Sequence, residues 1–135
     1  MKPEKFKKIC ERYFIDSAFT MEDISTIDDI LNVDSRSRTI SIFFAGYGIL
    51  RYYCDIEKPY LLLADKFRYN EDSGKIQPCN NDGAFLLRNW HEYTKLYNVG
   101  HDKLIKIILK LTEKIKIAKV EYKKQLLEKD FENEG

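Results

Sequence analysis

Residues 43–54 read FFAGYGILRYYC and place Gly46 and Gly48 one residue apart behind an apolar run, an arrangement that lets backbone N–H groups approach a phosphate. A dinucleotide fingerprint needs a third glycine three residues after Gly48, where this chain has Arg51. A P-loop needs Gly-Lys-Ser/Thr, whereas ILRYYC follows Gly48 and is prone to form a strand. The glycine pair is therefore expected to shape a tight turn or bulge between two strands.

The heptapeptide NWHEYTK sets His91 beside Glu92, but the zinc-protease pattern HExxH requires a second histidine where Lys95 stands. A small hydrolase or transferase using His91 as general base, with Cys54 or Cys79 as thiolate, is the design left open. His101 beside Asp102 reads as a helix start. No base with an orienting partner is spaced in the sequence, so no catalytic residue is assigned and the expectation leans towards a protein that is not an enzyme. Asp28 and Asp29 lack the alternating acids and glycine of a calcium loop, and NEDSGK is too short for one. Neither a metal-ligand set nor a cofactor is expected.

Basic residues with aromatic neighbours make a further candidate. Arg51, Tyr53, Arg68 and Tyr69 fall on segments that read as adjacent strands, and a sheet showing guanidinium groups and aromatic rings can stack unpaired bases. Against this, alternating aromatics also serve as core with polar tips in water.

These residues must be positioned by elements. Pro3 suits a first helical turn, and Phe6, Ile9, Cys10, Tyr13 and Phe14 follow helical spacing, predicting a helix from Pro3 to about Phe14. Thr20 with Asp23 three residues on has capping-box spacing, and Ile24, Ile27, Ile30 and Leu31 would share one side of a second, short helix. RTISIFFA predicts a strand from about Arg38 to Ala45, followed by one from Ile49 to Cys54. PYLLLADKFRY and KIQPC flank the turn NEDSGK, where Gly74 suits a positive φ and Pro78 an edge. Phe85, Leu86, Trp90, Tyr93 and Tyr97 are spaced for a helix ending near Gly100. Asp102 would cap a last helix of about 102–132 whose seam runs through Leu104, Ile108, Leu111, Ile115, Ala118 and Tyr122. The fold class is thus α+β: about four mostly antiparallel strands, two N-terminal helices and two C-terminal helices, the last long.

With 135 residues, 44% of them hydrophobic and 33% charged, the chain has the size of a single domain spanning 1–135. Its net charge of +1 gives no global attraction to a polyanion. The charge is unevenly spread. Asp16, Glu22, Asp23, Asp28, Asp29 and Asp34 lie in a stretch free of Lys and Arg, whereas residues 103–124 hold eight lysines against Glu113 and Glu121. Three cysteines without a CxxC suggest neither a disulfide framework nor a zinc ribbon. No apolar run reaches the length of a signal core or a membrane span, so the expectation is a cytoplasmic protein without a membrane partner.

Leu109, Val120, Leu127 and Phe131 lie opposite the seam of the last helix, which at about 45 Å exceeds the diameter of such a domain and is expected to project. The leading expectation is a non-enzymatic, inhibitor- or adaptor-like regulatory protein. It would form a homodimer through that stripe and present Glu22, Asp23, Asp28 and Asp29 to a larger protein partner. Single-stranded nucleic-acid binding by the sheet stands second, and His91 chemistry third.

Overall fold

The computed structural model describes residues 1–27, 36–54, 56–86 and 90–134, and side chains within these except at 25–27, 36–37, 91 and 129–134. The order is α1 (Pro3–Tyr13), β1 (Phe19–Ile27), β2 (Arg36–Phe44), β3 (Tyr47–Tyr53), β4 (Tyr60–Leu63), β5 (Lys66–Asn70), β6 (Lys75–Cys79), a 3₁₀ turn (Trp90–Glu92), β7 (Thr94–Tyr97) and α2 (His101–Glu134). The fold is α+β and antiparallel as expected, but with seven strands instead of about four and two α-helices instead of four among the described residues.

Two expected helices are corrected. The segment from Thr20 to Ile27 belongs to the edge strand β1, paired along its length with β2 from Phe19↔Phe44 to Ile27↔Arg36, while Ile30 and Leu31 of the expected helix lie outside the described residues. Its β-branched run favours a pleated strand, and pairing outweighs helical spacing that a few isoleucines satisfy by chance. Of the helix expected from Phe85 to Tyr97, the described residues show a bridge from Phe85 to Cys79, the 3₁₀ turn at Trp90–Glu92 and the strand β7. TKLY alternates in burial and pairs with β4, so the long-range ladder again prevails over local spacing.

Five strands form one sheet in the order β1-β2-β3-β4-β7, and β5-β6 is a separate hairpin. The hairpin turn has Gly74 at φ 72, with its N–H on the Asn70 carbonyl at 2.8 Å, and Pro78 sits in a two-stranded ladder as its missing donor requires. Phe6, Ile9 and Cys10 of α1 and Leu104, Ile108, Leu111, Ile115 and Ala118 of α2 pack on one sheet face, against Ile40, Ile42, Leu50, Tyr52, Leu61 and Leu63. The α2 seam is buried from Leu104 to Ala118 as its spacing requires, and its last member, Tyr122, is half-buried. From Lys123 to Glu128 every α2 side chain is exposed. None of the described helices is long and apolar enough to cross a membrane.

Candidate nucleic-acid interface

Strand alternation sends every second residue to the sheet face opposite the helices. The register puts Thr39, Tyr53, Tyr60 and Tyr97 side by side on one rung across β2, β3, β4 and β7. The next rung carries Glu22, Ser41, Arg51, Leu62 and Lys95. The three tyrosines are in contact: Tyr53 and Tyr60 stack with centroids 4.6 Å apart, and Tyr60 meets Tyr97 at 5.9 Å. Lys95 holds its ammonium 4.1 Å from the Tyr60 ring centroid. Burial, then the neighbouring Tyr53, pushes the Tyr60 hydroxyl above its ordinary pKa, so it stays neutral and able to donate. Tyr53 and Tyr60 are half-buried, Lys95 is exposed, and Tyr97 is 47% exposed.

Arg51 joins this row to a concavity. Its guanidinium lies 4.2 Å from the Trp90 ring centroid, its Nε donates to Ser41 Oγ at 2.8 Å, and Nη1 reaches Tyr53 Oη at 3.5 Å. Trp90 can lie there because residue 48 is glycine: a Cβ at that position would sit 2.4 Å from Cζ2 and 2.6 Å from Cη2 of the indole. Tyr93 locks the same spot by donating its hydroxyl to the Gly48 carbonyl at 2.6 Å. The expected turn is made by Ala45 and Gly46, both at positive φ (50 and 89), which suits a two-residue hairpin between β2 and β3. The register then shifts, Phe43 pairing with Gly48 and Ile42 with Leu50, so that β3 carries one extra residue. Gly46 is the turn; Gly48 is the seat of the tryptophan.

The sequence-derived residues are only partly brought together. Arg51 and Tyr53 share the site, but Arg68 and Tyr69 lie on the separate hairpin, where Arg68 stacks on Phe85 at 4.3 Å and Tyr69 on Tyr122 of α2 at 3.5 Å. Tyr60, Lys95 and Tyr97 were missed because their neighbourhood depends on register between strands 37 residues apart, from Tyr60 to Tyr97. Alternation within TKLY was the available signal.

Of the acidic set, Glu22 and Asp23 point to opposite faces of β1. Asp23 is held by Arg38 in a two-pronged pair at 2.6 and 3.0 Å and by Lys7 at 3.3 Å. Hydrogen bonding to Arg38 is the largest influence and lowers its pKa; burial opposes it, and the hydrogen bond to Lys7 adds to the lowering. Asp28 and Asp29 lie outside the described residues. Leu109, Val120 and Leu127 are 51%, 53% and 60% exposed, and the Phe131 and His91 side chains lie outside those described. Cys79 is buried and its thiol pushed up in pKa, the reverse of nucleophile activation. Among the described residues no three His, Cys, Asp or Glu side chains gather to hold a metal ion.

Comparison of the chain with protein-family models, curated proteins and solved structures finds no match.

Proposed function

We propose that the sheet face carrying Tyr53, Tyr60, Tyr97, Arg51 and Lys95 binds single-stranded nucleic acid. The observation that carries this reading is the three-tyrosine rung with a lysine and an arginine on the rung beside it. Aromatic rings stack unpaired bases regardless of sequence, and adjacent cations meet the phosphates that link them. The acidic neighbour that would oppose a polyanion is divided, because Asp23 faces the helices and is neutralised by Arg38 and Lys7. Glu22 alone of that pair remains on the tyrosine side. The test is fluorescence anisotropy with a labelled single strand and with its duplex at about 50 and 200 mM salt. Single-strand binding that weakens with salt, and that Tyr97→Ala and Lys95→Ala each weaken, supports the reading; equal affinity for duplex, or unchanged affinity in both variants, refutes it.

A second reading concerns α2. Leu109, Val120 and Leu127 fall within about 20° of one line along the helix and are exposed. Pairing of two copies through this line would cover them, and light scattering decides the matter by mass.

A further inference from the structure

Beside the tyrosine row lies a cavity of about 530 Å³ walled by Phe43, Tyr47 and Trp90 and containing three charged side chains, Arg51, Lys75 and Glu22. We infer that this cavity holds one ribonucleotide of the bound strand, with Arg51 and Lys75 on its phosphate and Glu22 accepting from its ribose hydroxyls, so that the protein prefers RNA to DNA. The inference rests on the single-strand reading of the adjacent face.

Three observations support it. First, Arg51 is preorganised and not neutralised: Trp90, Ser41 and Tyr53 fix its plane, and no ion pair engages it among the described residues. Two of its five N–H donors are used by these partners, which leaves donors for a phosphate oxygen. Second, Lys75 reaches over the β2-β3 turn, 3.4 Å from the Ala45 carbonyl and 5.7 Å from the Tyr47 centroid, so a second cation stands on the same wall beside an aromatic face. Third, Glu22 shares a rung with Ser41 and Arg51, yet forms no ion pair with either cation of its cavity among the described residues. A carboxylate has no donor of its own and repels phosphate, whereas a sugar hydroxyl donates to it readily. The 2′-hydroxyl is the donor that ribose has and deoxyribose lacks.

The experiment compares two single strands of about 12 nucleotides, one ribo and one deoxyribo, of the same sequence with deoxyuridine replacing uridine. Each is titrated by anisotropy against the parent and against Glu22→Gln, whose fold is checked by circular dichroism. The parent is expected to bind the ribo strand about tenfold tighter, the value of one hydrogen bond to a charged group. Glu22→Gln is expected to remove most of that ratio without weakening the deoxyribo strand. Equal binding of both strands by the parent, or a preference that survives Glu22→Gln, overturns this inference and leaves the single-strand reading intact. Binding of neither strand overturns both.

Discussion

Gly48 shows how one missing side chain builds a site. The indole of Trp90 occupies the place a Cβ would take, and Tyr93 bonds the carbonyl of the same residue, so Gly48→Ala must push the ring off β3. Overpacking of this kind costs about 1–3 kcal/mol, which urea unfolding will read. Trp90 is the single tryptophan of the chain, so its emission will report the displacement directly. The buried thiol of Cys10 makes a second expectation at this scale. Burial pushes it up to about 12, so it should resist thiol reagents in the native protein, with labelling confined to the more accessible Cys54 until denaturant is added. Asp23 supplies a third. Its carboxyl is held below its ordinary pKa, so its stabilisation is present above the unfolded value of about 3.9 and is lost as pH falls through the folded value. Asp23→Asn should flatten the acid limb of a melting-temperature profile below about pH 4 relative to the parent. An unchanged limb would show that Arg38 and Lys7 do not hold it in solution.

Elements with their own periodic signal were legible in the sequence, and elements that exist through pairing were not. The Pro3 start and the apolar spacing of α1, the RTISIFF strand, the return strand KIQPC after Gly74 and the α2 span carry their structure locally, and the structure has them within two residues. PYLLLADKFRY, which reads as one strand, is two, broken at Ala64 and Asp65 between β4 of the main sheet and β5 of the hairpin. By contrast β1 and β7 become strands at the two edges of the main sheet because β2 and β4 offer ladders to them. A helix read from isoleucine or aromatic spacing cannot see those distant partners. The same blindness hid Tyr60, Tyr97 and Lys95 from the candidate site while revealing Arg51 and Tyr53. Helix α2 also gives a test of packing. Ile108 is fully buried in the core, so Ile108→Ala should cost about 2–5 kcal/mol in chemical denaturation. The opposite line of α2 is the place to examine self-association. If two copies meet there, Val120→Glu with Leu127→Glu will convert a dimer mass to a monomer mass by light scattering at unchanged helicity, whereas a parent that is already monomeric removes that reading.

At the scale of the whole molecule, charge and shape divide between two sides. One sheet face is filled by α1 and α2, whose apolar residues make the main core. The other face gathers tyrosines, Arg51 and Lys95 over a smaller cluster of Leu62, Ala64, Leu86 and Tyr93. A net charge of +1 is too small to draw a polyanion to the surface at large, so binding must come from this local arrangement and from stacking. The lysines of α2 are the rival source of affinity, and they would act through charge alone. A map of backbone amide chemical shifts, recorded while a single-stranded oligonucleotide is added, separates the two. Binding by the tyrosine face will concentrate the shifts at Arg51, Tyr53, Tyr60, Lys95 and Tyr97 on β3, β4 and β7. Shifts confined to the lysines of α2, or none at a several-fold excess of strand, would contradict it.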